Sequence, residues 1–113
     1  MPQLVAGPFT TAVLALAGDS ANVDVRIEFT RVFGDTISLS SELRQFISVS
    51  QNTELRVYFS QDGGVTFFNR GTIDVLLPGI TYAGTIAAIG QIMRFQFTAL
   101  VNATTVYSRF AMR

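Results

Sequence analysis

Between residues 22 and 33 the chain alternates. Val23, Val25, Ile27 and Phe29 are apolar, and Asp24, Arg26, Glu28 and Thr30 between them are polar or charged. A period of two places successive side chains on opposite sides of an extended backbone, one side buried and one wet, and a helix cannot satisfy that pattern. The rhythm returns in Leu55, Val57 and Phe59, interleaved with Glu54, Arg56 and Tyr58. It returns again in Met93, Phe95, Phe97, Ala99 and Val101, interleaved with Arg94, Gln96, Thr98 and Leu100. Near the end Val106, Phe110 and Met112 fall on the inward phase, with Tyr107 and Arg109 outward.

Turn residues punctuate these runs. Gly34-Asp35 precedes a short apolar segment at 36–39, Asp62-Gly63-Gly64 separates two alternating runs, Pro78-Gly79 closes a strand at 72–77, and Asn102-Ala103-Thr104 precedes the last strand. An Asp-Gly step supplies positive φ at little steric cost, so the Asp62 turn predicts a hairpin. A further strand is predicted over 80–88, interrupted at Gly84. Residues 40–44 are the one stretch where a helical turn is plausible. Leu43, Phe46, Ile47 and Val49 fit neither period, which predicts a bent or bulged strand.

Eight or nine strands result, with turns spaced by about 8 to 12 residues, and no helical pattern of about 10 to 15 residues lies between them. The expected fold is all-β, a single antiparallel β-sandwich of jelly-roll or immunoglobulin-like topology. With 113 residues there is room for one core. The first 18 residues carry no charge and end in Ala15-Leu16-Ala17, like a leader cleavage site, but they lack a basic start and contain Pro8. They read as an N-terminal arm, residues 1–12, ahead of a sandwich domain at 13–113. The uncharged run between Asp74 and Arg94 is broken by Pro78, Gly79, Gly84 and Gly90, so it reads as strands and turns and not as a membrane span.

Composition bears on function chiefly by subtraction. The chain has no histidine and no cysteine, and all eight basic residues are arginine; tryptophan is also absent. Histidine bases, cysteine and lysine nucleophiles, and zinc sites built on His or Cys are thereby excluded. Asp24 and Glu28 share a strand phase but stand roughly 13 Å apart at 3.3 Å per residue, too far for a glycosidase pair. Asp19, Asp24, Asp35 and Asp62 lack the spacing of a calcium loop, and a turn aspartate ordinarily binds nearby backbone N–H groups. We therefore expect no catalytic residues, no cofactor and no metal. Net charge is zero without a basic run, which argues against nucleic acid as a partner.

Charged residues make up only 14 % of the chain, against about 25 % in ordinary soluble domains. Abundant Ser, Thr, Asn and Gln could solvate such a surface, or neighbouring subunits could cover it. Arginine enrichment with lysine depletion is a trait of protein interfaces, although a compositional bias of the genome gives the same count.

Residues 60–67, Ser-Gln-Asp-Gly-Gly-Val-Thr-Phe, resemble the Asp-box, a β-hairpin turn repeated in sialidase-type propellers. Phe67 stands where tryptophan is usual, the motif occurs once, and no sialidase activity follows from it. The resemblance implies a geometry in which Asp62 ties the turn backbone, Gly63 and Gly64 permit it, and Phe67 packs beneath. More broadly, the segments YFSQDGGVTFF, LLPG and QIMRFQFTALVNATTVYSRFAMR give the chain a look similar to small virion proteins of tailed bacteriophages.

That resemblance implies a non-enzymatic structural protein of the virion, a capsid decoration (cement) protein bound to the major capsid protein or other virion subunits, with a trimer favoured and no membrane. Tail, baseplate or head-tail accessory proteins are alternatives within the class. A carbohydrate-binding β-sandwich module is an alternative outside it, with Tyr58, Tyr82 and Tyr107 as the rings available to a sugar. The candidate interface residues are Leu4, Val5, Pro8 and Phe9 near the start, and Tyr107, Arg109 and Arg113 near the end.

Overall fold

The structure, a computed structural model, describes residues 5–26, 31–32, 35–36, 42–87 and 92–112. Ten strands are formed: β1 (Val5–Leu14), β2 (Ser20–Arg26), β3 (Arg31–Val32), β4 (Asp35–Thr36), β5 (Glu42–Val49), β6 (Thr53–Ser60), β7 (Phe68–Leu76), β8 (Thr81–Ala87), β9 (Ile92–Ala99) and β10 (Thr104–Met112). Sheet 1 has the order β1-β10-β5-β8 and sheet 2 the order β2-β9-β6-β7, both antiparallel, while β3 and β4 pair only with each other.

Four of these pairings are nested. β6 pairs with β7, β5 faces β8, β2 faces β9, and β1 faces β10, so Val5 lies opposite Met112. The chain is one long hairpin whose tip is the turn at residues 60–67, rolled until alternate arms fall into opposite sheets. That is a jelly roll, which decides between the two topologies the sequence left open.

The alternation works as expected in β2, β6, β9 and β10. Val23 and Val25, Leu55 and Val57, Met93, Phe95 and Phe97, and Val106 and Phe110 all point into one core with Leu14, Leu43, Ile47 and Leu76. Phe95 and Phe110 meet between the sheets with ring centroids 4.5 Å apart, tilted by 38°. At the end away from residues 60–67, hydroxyls tie the two sheets together. Thr104 Oγ1 accepts from the Gln51 N–H at 3.0 Å, Thr53 Oγ1 donates to the Gln51 carbonyl at 2.8 Å, and Ser50 Oγ accepts from the Thr105 N–H at 2.7 Å. Thr53 and Thr104 are buried, and this network gives their polar atoms partners inside the core.

Several expectations are corrected. Residues 42–44 begin β5 and are not a helical turn. β5 itself is regular, in unbroken register with both β10 and β8, and carries no bulge. Its pattern looked irregular because Gln45 takes an inward position while Phe46 is outward and exposed. β8 runs through Gly84 without a break. The β6–β7 turn is longer than a two-residue hairpin: β7 starts only at Phe68, and Val65 within the turn is 84 % exposed.

Val101 lies past the end of β9 in the following turn, exposed. Residues 5–12, read as an arm, run as edge strand β1, with a register break between Ala6 and Phe9. Pro8 explains the break, since it has no N–H to give to a ladder. Ile27, Glu28 and Phe29, which extended the first alternating run, lie outside the described residues.

Phe95 joins both sheets through Phe110, so Phe95→Ala is expected to cost about 3 to 5 kcal/mol of unfolding free energy. Urea unfolding followed by circular dichroism measures it, and a loss below about 1 kcal/mol would show that this contact does not anchor the core.

Candidate interaction surface

The turn at residues 60–67 is built as its sequence implies. Ser60 Oγ donates to Asp62 Oδ1 at 2.8 Å and accepts the Gly64 N–H at 2.9 Å. Asp62 Oδ1 also accepts the N–H groups of Val65 at 3.2 Å and Thr66 at 2.9 Å. Gly63 and Gly64 have φ of 77° and 99°, a region that a Cβ disfavours. The Thr66 N–H and the Ser60 hydroxyl, chiefly, hold the Asp62 carboxyl down to about 2, because both bonds favour the charged form. Phe67 is half-buried beneath the Arg94 guanidinium, whose central carbon lies 3.7 Å from the ring centroid. With its carboxylate engaged by its own loop, the turn is a structural element.

The outer faces of the two sheets differ in chemistry. On sheet 2, Arg94 clasps Asp24 on the neighbouring strand with two bonds of 2.7 and 2.9 Å, and Arg56 pairs with Glu54 at 2.6 Å. These four charges are matched within the molecule. The outward positions of sheet 1 carry no carboxylate across residues 9–13, 44–48, 81–85 and 105–109, and their charged residues are Arg44 and Arg109.

Strand register assembles the rest of that face. Phe9 on β1 lies opposite Arg109 on β10, which lies opposite Phe46 on β5, which lies opposite Ala83 on β8. In the adjacent row Thr11, Tyr107, Ser48 and Thr81 follow one another. Neighbours across strands stand about 4.5 to 5.5 Å apart, so Arg109 sits between two phenylalanines. Phe9, Phe46, Ser48, Thr81, Tyr107 and Arg109 line a shallow depression of about 280 Å³. Phe9 is 74 % exposed and Tyr107 49 %, much apolar area for a sheet face turned to water.

Three of the residues singled out from sequence, Phe9, Tyr107 and Arg109, thus come together although they are distant in the chain. Val5 and Pro8 fall on β1, and Leu4 and Arg113 lie outside the described residues. Phe46 was missed; its signal was the apolar residue out of phase in 43–49. Of the tyrosines proposed to meet a sugar, Tyr82 is half-buried against the core and its hydroxyl accepts the Leu77 N–H at 2.8 Å, and Tyr58 is half-buried on the charged face of sheet 2. Tyr107 keeps an exposed ring.

No protein-family model matches the sequence, and no curated protein matches it. A solved chain from the disulfide-linked pili of Bacillus endospore appendages is similar at 16 % identity and a TM-score of 0.49, over 98 % of this chain and 89 % of that one.

The Asp62 carboxyl lies below its ordinary value in the fold, so its contribution to stability is fully present above about pH 4 and is lost as pH falls toward about 2. Comparing wild type with Asp62→Asn by thermal melting should show a gap that narrows across that window and stays constant from pH 5 to 8, where the group is ionised in both states. A gap that does not change with pH would detach the turn from this carboxylate.

Proposed function

We propose that the chain is a non-enzymatic structural subunit of a virus particle, a capsid decoration protein that lays the outer face of sheet 1 on neighbouring subunits, the major capsid protein among them. One observation carries the reading: Phe9, Phe46 and Tyr107 gather around Arg109, with no carboxylate at the outward positions of 9–13, 44–48, 81–85 and 105–109, while on the opposite face Arg94 pairs with Asp24 and Arg56 with Glu54. Aromatic residues and arginine are enriched at the centres of protein interfaces, and carboxylates and lysine are depleted there. The residue types available also favour binding over chemistry, since the chain has neither histidine nor cysteine nor lysine.

The virion assignment draws on the resemblance of the sequence to small phage proteins, with a trimer as the favoured oligomer. A tail or head-tail accessory protein would use the same face. The carbohydrate-binding reading has lost most of its support, because one exposed tyrosine makes a poor stacking platform.

Phe46→Ser with Tyr107→Ser alters exposed side chains on the two central strands of sheet 1, and each change is expected to shift stability by about 0.5 kcal/mol or less. Sedimentation should show wild type, whether a trimer or larger species or a monomer, pelleting with assembled tailed-phage capsids, and the double variant left in the supernatant. A wild-type monomer that ignores capsids and selects sugars on a glycan array overturns the reading.

A further inference from the structure

The two sheets protect their edges unequally. Edge strand β2 of sheet 2 carries Asp24 and Arg26, and edge strand β7 carries Arg70 and Asp74 and has a register break opposite Arg56 and Tyr58. Charges and bulges are the usual means of preventing a foreign strand from adding to an edge. Among the described residues sheet 1 has neither along most of its margins. β8, with the sequence TYAGTIA, has no charge, no proline and an unbroken register with β5. From Phe9 onward β1 is likewise uncharged and regular, because the Pro8 break interrupts only its first part.

An open edge presents a row of backbone N–H and C=O groups, and only another strand satisfies such a row. Strand direction narrows the choice. Sheet 1 has four antiparallel strands, so β1 and β8 run in opposite directions, and a second copy in the same orientation brings its β1 antiparallel to β8 of the first.

Side-chain size narrows it further. The outward residues of β8 are small, Thr81, Ala83 and Thr85, whereas β1 presents Phe9 and Val13, each 74 % exposed. Pairing β8 with β8 would set small against small and leave Phe9 and Val13 wet. Pairing β8 with β1 covers them. On the accompanying sheet-2 edges, β7 and β2 each carry one arginine and one aspartate, so no block of like charge opposes the approach.

We propose that β8 of one copy adds to β1 of the next, continuing sheet 1 from subunit to subunit. The joint is heterologous, so it generates a ring if the rotation closes and a filament if it does not. The inference rests on the reading of the chain as an assembly subunit, and supplies the lateral contact between copies while the outer face meets the partner.

The absence of native cysteine makes a disulfide test clean. Copies carrying Ala83→Cys are mixed under mild oxidation with copies carrying Phe9→Cys, Thr11→Cys or Val13→Cys, all exposed positions on the same face. At least one mixture should give the heterodimer in about tenfold excess over Ala83→Cys homodimer, and Thr85→Lys should weaken wild-type self-association about tenfold. Ala83→Cys homodimers in equal yield overturn the heterologous joint. Self-association without any of these crosslinks, still abolished by the Phe46→Ser, Tyr107→Ser pair, overturns edge pairing and leaves the proposed function standing. A wild-type chain that neither self-associates nor binds capsids overturns both.

Discussion

The fold depends on one reversal of the chain. Asp62 and Ser60 gather three N–H groups of residues 64–66 into a turn, and four pairings are nested around it: β6 with β7, then β5 with β8, β2 with β9 and β1 with β10. A nested ladder has one local contact and many distant ones. Loop-closure entropy grows slowly with length, so each outer pair is easier to form once the pair inside it exists. The tip must therefore be specified strongly, and two consecutive glycines at positive φ with a doubly engaged aspartate specify it. The Gly64 backbone leaves no easy room for a side chain: a Cβ there would lie 3.3 Å from Ile92 Cδ1, on the strand next to β6.

Closure at the other end falls to hydroxyls. Thr53, Thr104 and Ser50 link the β5–β6 connection to the start of β10 and so join elements of both sheets, with the Phe95 and Phe110 rings packed between. Apolar area drives the sheets together without fixing how they slide. Directional bonds at one end and an ordered turn at the other leave a single arrangement in which the outward residues of β1, β10, β5 and β8 form one surface.

Legibility in the sequence followed the range of the determining interaction. Strands whose two faces differ cleanly, such as β6 and β9, were readable from alternation, and the Asp62 turn from its own eight residues. β5 was misread because Gln45 and Phe46 exchange the expected sides, and neither exchange makes sense until Gln45 is seen opposite Gly84 and Phe46 in a row with Arg109. Jelly-roll connectivity could not be read at all, since it rests on pairings such as Val5 with Met112. The candidate surface was half legible: Phe9, Tyr107 and Arg109 stood out by chemistry, while their adjacency and the inclusion of Phe46 are products of register.

The same exchange in β5 bears on what sheet 1 is for. Among the described residues the buried side-chain atoms without a hydrogen-bond partner are Arg44 Nε, Gln45 Oε1 and Ser108 Oγ, all on the central strands of sheet 1. Among the described residues sheet 2 has no buried side-chain atom without a partner, pairs Arg94 with Asp24 and Arg56 with Glu54 on its face, and carries charges on its edges. The outer side of sheet 1 carries an aromatic face and uncharged edge strands, whereas Gln45 and Ser108 are on its inward side, away from any partner that meets that face. A chain optimised to stand alone would distribute these defects or remove them. An aromatic face and uncharged edges concentrated in one layer are the pattern expected of a layer that other chains complete.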